Sequence, residues 1–283
     1  MQEMKKDKKP STLIILAPNG ARKMKKDHPS LPISANEIVE EVDKCVNAGA
    51  AMVHLHARTH LGEHSLCLED NLTVYNAVKD RIGDRAIIQL TTEAVGKYAP
   101  SDQMKLIEEI NPEAASFALM ELIPDISCEN SAGNFFHSIA KKGTLAQYIL
   151  YSPEQMKYYL ELIARNILPS FNHHILIVLG RYHPDQQSLP SDLDQFLQLI
   201  TKLDSTRWAI CAFGKNELDC LSYAAKLGGD TRVGFENNLF NTQGQLAADN
   251  CEQVTQLKNT LLKNGHSLIT AKEVRTWVTH TPK

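Results

Sequence analysis

The 283-residue chain lacks long apolar runs, since no stretch approaches the roughly eighteen consecutive apolar residues of a membrane-spanning helix. It also lacks an excess of charge of one sign. The 30 Lys and Arg residues oppose 33 Asp and Glu residues, which leaves a formal net charge of −3. Such a balance gives no global bias toward nucleic acid or anionic membranes. These absences predict a globular protein that binds neither nucleic acid nor a membrane.

Cysteine pairs are missing as well. The six cysteines stand singly at positions 45, 67, 128, 211, 220 and 251, without a Cys-x-x-Cys motif or a compact disulfide framework. This pattern is typical of reduced thiols in a cytoplasmic protein. Residues 1–10 are rich in lysine and carry no apolar segment of a secretory signal. We therefore expect a disordered basic leader over 1–10 and a single domain over 11–283.

What the chain does contain is a regular alternation of short apolar runs and segments with helical spacing. The predicted strands cover residues 12–17, 50–56, 86–90, 114–119, 145–150, 175–179, 207–212 and 231–235. A helix follows each strand; Ser34 and Glu37 form a capping box for the first, and Ser101 is the expected cap of the third. Eight uninterrupted βα units favour a closed (β/α)8 TIM barrel over a doubly wound sheet. Residues 271–278 predict a short extra C-terminal helix.

The second predicted strand ends in His54-Leu55-His56. Because side chains alternate along a strand, the two imidazoles point the same way, whereas Val53 and Leu55 point the other way. In a (β/α)8 barrel the site lies at the carboxyl ends of the strands, where both histidines fall. The pair is either half of a metal site or two ordinary polar residues, and its spacing alone does not decide between them.

The eighth predicted strand offers a third ligand. Alternation places Arg232 and Glu236 on one face, and Val233 and Phe235, which should pack on helices, on the other. Buried charges need partners, so the arginine and the glutamate either pair with each other or the glutamate completes a His₂Glu set with the two histidines. Two imidazoles, a carboxylate and an open position are the composition of catalytic zinc sites, in which the metal polarises a carbonyl oxygen.

Polar side chains also follow other strands, and hydroxyl groups with a guanidinium suit an oxygen-rich, anionic substrate. His183 follows the sixth strand, on the same side as the candidate site. His173 and His174 precede that strand and fall on the opposite, stability face. The polar strand-end candidates are Arg22 after the first strand, Thr91, Thr92 and Glu93 after the third, and Ser116 in the fourth.

As a set, these segments resemble the β-keto acid cleavage enzymes, the family named after the 3-keto-5-aminohexanoate cleavage enzyme. The resemblance runs from about residue 12 to residue 278. It is carried by residues 17–21 (APNGA), 48–58 (AGAAMVHLHAR), 89–92 (QLTT), 112–116 (PEAAS), 178–180 (VLG) and 232–239 (RVGFENNL). It implies a zinc-dependent (β/α)8 barrel, usually a homotetramer, that converts a β-keto acid and acetyl-CoA into acetoacetate and a new acyl-CoA.

The resemblance also implies roles for individual residues. His54, His56 and Glu236 match the zinc ligands of the family, and Arg232 matches an active-site arginine. Thr91 falls where the family has a hydroxyl near the reacting carbonyl, and a second pocket hydroxyl corresponds to Ser116. The substrate and cosubstrate implied are a small anionic β-keto acid and acetyl-CoA.

Several positions depart from the family pattern. Asn237 stands where the family has an aspartate as catalytic base, and an amide takes no proton at neutral pH. Glu93-Ala94 replaces a glycine pair, and a Gly-Gly stretch becomes Arg181-Tyr182. Arg22 stands where the lysine-fermentation enzyme has an acidic residue that reads the substrate amine. A cation there indicates a carboxylate-bearing or otherwise anionic partner.

Two hypotheses follow from these departures. The first is a working zinc-dependent acyltransferase with altered specificity, in which Glu93, His183 or a water supplies the missing base. The second is a zinc-retaining, catalytically silent homologue that binds a small acid or acyl-CoA, or serves as a structural subunit. A metal-dependent hydrolase of the amidohydrolase type fits poorly, because that type places His-x-His on the first strand and an aspartate on the eighth.

Overall fold

The computed structural model describes residues 10–203 and 206–278. Eight parallel strands close into a barrel in chain order, and β8 pairs with β1 to complete the ring. The predicted (β/α)8 fold is thus confirmed. The barrel strands are β1 (Ile14–Leu16), β2 (Met52–Leu55), β3 (Ile87–Thr91), β4 (Ala114–Ala118), β5 (Leu145–Leu150), β6 (His173–Leu179), β7 (Trp208–Ala212) and β8 (Asp230–Val233).

Helices surround the barrel. Residues Ser34 and Glu37 form the predicted capping box at the first of them, and Gly49 ends it with φ +133°. In chain order the main helices are α1 (Ala35–Ala48), α2 (Leu68–Ile82), α3 (Pro100–Ile110), α4 (Glu129–Lys141), α5 (Pro153–Ala164), α6 (Leu197–Ile200), α7 (Glu217–Lys226), α8 (Asn250–Lys263) and α9 (Ala271–Arg275). A short helix at Leu119–Leu122 precedes α4, and 3₁₀ turns lie at Gly83–Arg85, Ile126–Cys128 and Pro190–Phe196.

The alternation of strand side chains divides the core into two layers. Outward-facing residues such as Val53 and Leu55 of β2 belong to the large apolar layer between strands and helices. Inward-facing residues such as Met52, Ile87 and Ala114 fill the barrel, together with Ala271 and Val274 of α9 from below. The barrel is therefore plugged at its amino-terminal end.

The amino-terminal end of the barrel also holds a buried charged network. Asp230 accepts hydrogen bonds from Arg207 Nε at 3.0 Å, from His174 Nε2 at 3.2 Å and from the Leu13 amide at 2.8 Å. Gln147 Nε2 donates to Nδ1 of the same histidine at 2.7 Å. The network belongs to the stability face, as the sequence predicted for His174.

The predicted ends of several elements were wrong. Only Ile14–Leu16 of the predicted strand 12–17 joins the barrel, because Ser11–Thr12 pairs instead with Ser267–Leu268 beside it. The strand β6 begins at His173 rather than after His174. The helix α3 has Ala99 as its N-cap residue, and Asp102 accepts the Ala99 amide, so Ser101 is not the cap.

The eighth strand is also shorter than predicted. It ends at Val233, because Gly234 takes φ +139° and turns the chain. Val233 packs in the layer beneath the helices as expected, but Phe235 packs with Leu31 and Ala247 of the loops. Residues 1–9 of the predicted leader lie outside the described residues. Within the described part of the chain, no helix has the length and apolar character needed to cross a membrane.

Candidate active site

Three side chains converge at the carboxyl end of the barrel. His54 lies in β2, His56 follows that strand, and Glu236 follows the turn after β8, which neighbours β2 through β1. The two Nε2 atoms are 3.0 Å apart, and Glu236 Oε2 lies 3.4 Å from the first and 3.3 Å from the second. All three ligand atoms thus fit within a single group capable of holding a metal ion.

The spacing of this group fits a tetrahedral ion. Zinc bonds of about 2.1 Å to nitrogen and oxygen, at tetrahedral angles, separate ligand atoms by about 3.4 Å. Burial lowers the pKa of His54 to about 4 and that of His56 to about 3, so both rings are neutral at pH 7. Burial alone would raise the pKa of Glu236, but Arg232 and the two histidines hold it well below its usual range. Two neutral imidazoles and one carboxylate are the ligands such an ion needs.

The two histidines differ in what holds their second ring nitrogen. His54 Nδ1 donates to Gln89 Oε1 at 2.8 Å, and Ser116 Oγ lies 3.5 Å from the same nitrogen. The strand register places Gln89 directly beside His54, and Ser116 beside Thr91 on the next strand. The His54 ring is therefore oriented with its Nε2 lone pair toward the shared point.

Arg232 links the carboxylate ligand to the floor of the pocket. Its Nη2 donates to Glu236 Oε1 at 2.9 Å, while Oε2 of that residue faces the histidines. The two predicted alternatives, an Arg–Glu pair and a His₂Glu set, therefore coexist on one carboxylate. Arg232 Nε and Nη1 are buried and have no hydrogen-bond partner in the described part of the chain. A guanidinium with free donors lining a pocket is suited to bind an anionic ligand.

The pocket around this group is small and rich in cations. Its volume is about 70 Å³. Lys23 Nζ donates to the Glu236 carbonyl at 2.6 Å, and burial lowers the pKa of this lysine. Arg22 and Arg181 flank Glu93 at 3.6 and 4.0 Å. The lining includes Asn19, Arg22, Lys23, Thr91, Glu93, Ser116, Tyr151, Arg181, Phe213 and Arg232 beside the three metal-ligand candidates.

Three other candidates lie elsewhere. The Thr92 hydroxyl points away from the pocket and donates to the Ser116 carbonyl at 2.8 Å. Asn237 is buried and is not among the residues that line the pocket, and its side chain has no hydrogen-bond partner within residues 10–203 and 206–278. His183 is exposed on the loop after β6, where its Nδ1 accepts the Asp185 amide at 3.3 Å.

Sequence reasoning gave no role to several residues that form the site. Gln89 is the polar residue of an apolar strand, and it faces inward beside His54. The pairing of these two strands would have placed it at the site. Lys23 lies in the run Arg22-Lys-Met-Lys-Lys26, which cannot be told from a solvated basic loop by sequence. Tyr151 and Phe213 directly follow β5 and β7, but they read as ordinary apolar residues.

A closed (β/α)8 barrel with a His₂Glu group at the carboxyl ends of its strands defines a class of protein that could hold a metal ion at the barrel mouth. Within that class, the model of the beta-keto acid cleavage enzyme family matches residues 11–279. The chain belongs to this family. The resemblance stated from the sequence motifs is thereby confirmed.

Curated relatives cover nearly the whole chain at low identity, and their names are those of enzymes. The 3-keto-5-aminohexanoate cleavage enzyme of Acetoanaerobium sticklandii is 27% identical over 93% of this chain and 96% of its own length. The enzyme of the same name from Fusobacterium nucleatum is 25% identical over the same shares. The 3-oxoadipate:acetyl-CoA acetyltransferase of Cupriavidus necator is 23% identical over 93% of each chain.

Solved structures agree on the fold. The apo structure of ObcA superimposes with a TM-score of 0.68 at 20% identity, over 88% of this chain. This chain spans 65% of the length of that longer protein. A type I 3-dehydroquinate dehydratase from Clostridium difficile gives a TM-score of 0.58 at 11% identity, over 90% of this chain and 93% of its own. At these identities the likeness concerns the barrel itself.

Proposed function

We propose that the protein is a zinc-dependent acyltransferase that cleaves an anionic β-keto acid. The acyl part of the acid passes to CoA, and the two-carbon acid fragment takes the acetyl group of acetyl-CoA to form acetoacetate. The observation that carries the proposal is the convergence of His54 Nε2, His56 Nε2 and Glu236 Oε2 at tetrahedral spacing in a chain of this family. Zinc bound there would act as a Lewis acid on the keto oxygen.

The chain's own residues would bind and orient the acid. Arg232 lines the pocket, and its Nε and Nη1 donors are unpaired among the described residues. Thr91 and Ser116 line the same pocket. Charge-assisted hydrogen bonds from a buried guanidinium are among the stronger contacts available to a carboxylate or enolate oxygen.

The cations at the mouth favour a substrate with a second anionic group. Arg22 and Arg181 share the single charge of Glu93 at 3.6 and 4.0 Å, beyond hydrogen-bond distance. One carboxylate between two guanidinium groups leaves an excess positive charge and free N–H donors. We therefore propose β-keto dicarboxylates as the preferred substrate class. One relative, 3-oxoadipate:acetyl-CoA acetyltransferase, has a name that describes such an acid.

The second candidate is a zinc-retaining homologue that binds the acid or acyl-CoA without turnover. Asn237 favours it, because the amide replaces the family's aspartate and is buried outside the pocket lining. If this candidate is correct, wild-type protein shows no turnover and Asn237→Asp gains activity. Turnover by the wild type contradicts it.

The assembly and location follow the family. We propose a cytoplasmic homotetramer. Light scattering coupled to size-exclusion chromatography measures the assembly directly.

Metal analysis and a coupled assay test the proposed function. We expect about one zinc per chain in purified wild type and in the control His137→Ala, whose ring is hydrogen-bonded to the Asn166 carbonyl. His54→Ala should lose the metal. A panel of β-keto acids with acetyl-CoA should then yield acetoacetate and the matching acyl-CoA. Equal zinc content in wild type and His54→Ala contradicts the metal site, and no product from any acid contradicts the reaction.

A further inference from the structure

One ligand of the proposed metal centre has an unsatisfied second nitrogen. His56 is 1% exposed, and its Nδ1 has no hydrogen-bond partner among the described residues. His54, by contrast, has Gln89 Oε1 at 2.8 Å from its own Nδ1. Histidines that bind a metal through Nε2 almost always donate Nδ1–H to a carboxylate, a carbonyl or a water, because this bond fixes the tautomer and the plane of the ring.

A carboxylate stands beside this nitrogen. Glu93 Oε2 lies 4.0 Å from His56 Nδ1, and the other oxygen, Oε1, faces Arg22 and Arg181. The two oxygens of one carboxylate are therefore divided between the arginines and the histidine. A side-chain movement of about 1 Å brings Oε2 to hydrogen-bond distance.

The backbone of Glu93 is held by two hydrogen bonds, whereas its side chain is 25% exposed. The Glu93 amide donates to Thr91 Oγ1 at 3.1 Å, and the Glu93 carbonyl accepts from His64 Nε2 at 2.8 Å. The His64 ring also packs against the His56 ring, with centroids 5.2 Å apart. These contacts hold the carboxylate beside one face of the metal group without hydrogen-bonding either of its oxygens.

We propose that Glu93 is the outer-sphere partner of His56, a positioning residue that orients this ligand and strengthens its hold on the metal. The inference rests on the metal site of the proposed function. It gives a role to a residue that stands where the family has glycine, and it differs from a substrate contact because its effect appears without any substrate. Arg22 and Arg181 orient the carboxylate from the other side.

Zinc affinity, measured on apoprotein by competition with a chromogenic chelator, tests the proposal without an activity readout. We expect Glu93→Ala to raise the zinc Kd about 10- to 100-fold, the usual effect of losing an outer-sphere partner. Gln89→Ala should show a loss of the same order, since Gln89 is the corresponding partner of His54. Glu93→Gln, which keeps an acceptor oxygen, should lose less. Glu63→Ala, a change at an exposed loop residue at the same end of the barrel, is the matched control and should bind zinc with wild-type affinity.

Three outcomes would overturn the proposal. If the zinc Kd of Glu93→Ala is within about twofold of the wild-type value, Glu93 does not position His56. A loss equal to that of His56→Ala would make Glu93 a direct ligand instead. Wild type that binds no zinc overturns both this inference and the metal site, whereas tight zinc binding without turnover overturns the proposed reaction alone. Circular dichroism confirms the fold of each variant, and Glu93→Gln provides the comparison if Glu93→Ala does not fold.

Discussion

Gly20 lies directly against Glu236, the proposed carboxylate ligand. It takes φ +62°, and a Cβ atom there would lie 2.6 Å from Glu236 Cγ. Arg58 Nε donates to the Gly20 carbonyl at 2.9 Å, which holds the loop after β1 against the site. The glycine thus allows the first loop to pass directly over the side chain of the proposed ligand.

Gly20→Ala should therefore weaken metal binding. The new methyl group displaces Glu236, and we expect the zinc Kd to rise at least about tenfold, as for other changes that misplace a ligand. Gly244→Ala is the matched control, because Gly244 has φ +75° but nothing within 4 Å of the added Cβ. Chelator competition on both variants measures the difference. Equal affinities would mean that the loop simply moves aside.

Arg22 and Arg181 should decide between acids of different charge. For the double variant Arg22→Met/Arg181→Met, we expect kcat/KM for a β-keto dicarboxylate to fall about 10- to 100-fold, the equivalent of about 1.5–3 kcal/mol for hydrogen bonds to a charged group. The value for a β-keto monocarboxylate of equal length should change little. Lys26→Met, an exposed neighbour on the same loop, serves as the control. An equal fall in kcat/KM for both acids would mean that the two arginines bind any β-keto acid and do not select for a second carboxylate.

The alternation of side chains along a strand predicted the residue pairs that share a strand face. It did not predict the residues from other segments that contact these pairs. His54, His56, Arg232 and Glu236 came out of strand alternation and loop position. Thr92 was predicted at the site because it follows the third predicted strand, but strand alternation turns its hydroxyl to the Ser116 carbonyl. Contacts between the loops of neighbouring strands, such as that of Lys23 with the Glu236 carbonyl, depend on loop conformations that no local pattern specifies.

At the scale of elements, Asp230 joins β8 to β6 and to Arg207 before β7. We expect Asp230→Asn to lower the free energy of unfolding by about 3 kcal/mol at neutral pH, because Arg207 and His174 lose a buried anionic partner. Arg207 is partly exposed, which places the loss at the lower end of the range for buried pairs. Asp84→Asn, a change at a fully exposed aspartate, should have little effect.

The effect of Asp230→Asn on the free energy of unfolding should depend on pH. Burial alone would raise the pKa of Asp230, but the hydrogen bonds from His174 and Arg207 lower it. The stabilisation is therefore complete above the unfolded-state pKa of about 3.9 and is lost as the pH falls through the lower folded-state pKa. The difference in the free energy of unfolding between wild type and Asp230→Asn should be constant from about pH 7 to pH 5 and should shrink below about pH 4. Urea unfolding across this range measures it, and a gap that stays unchanged at low pH contradicts the assignment.

Sequence periodicity predicted which elements exist better than where they end. The capping box of Ser34 and Glu37 marks α1 because both partners lie within one turn. The end of β8 depends on Gly234, whose Cβ would lie 2.4 Å from the Ala17 carbonyl of the neighbouring chain segment. That close approach belongs to the tertiary structure, so the local pattern continued the strand through Phe235.

At the scale of the whole molecule, metal binding should stabilise the barrel. The proposed ligands come from β2 and from the segment after β8, which lie nearly two hundred residues apart, so unfolding destroys the site. Free zinc at about 100 times its Kd should add about 2.7 kcal/mol to the free energy of unfolding. Denaturant titration with and without zinc measures the gain, which should be absent in His54→Ala. The same gain in that variant would show that zinc binds elsewhere.

The global fold could be predicted from the sequence because eight alternating units leave few other arrangements. The extra helix predicted over 271–278 is present as Ala271–Arg275, and it plugs the barrel floor. The width and charge of the pocket could not be predicted, since they arise where loops from different units meet. Arg181 and Glu93, for example, follow β6 and β3 and meet only in the folded chain.

Both tryptophans, Trp208 and Trp277, lie at the plugged end of the barrel. Trp208 begins β7 beside Gly229, and the Trp277 ring lies under the Arg207 guanidinium at 4.8 Å. Their ultraviolet emission is therefore an optical probe of the barrel floor and should remain unchanged while metal or acid fills the opposite mouth. A fluorescence titration of the pocket needs a reporter of its own, and the exposed Tyr182, whose ring lies 5.3 Å from that of pocket-lining Tyr151, marks a place to attach one.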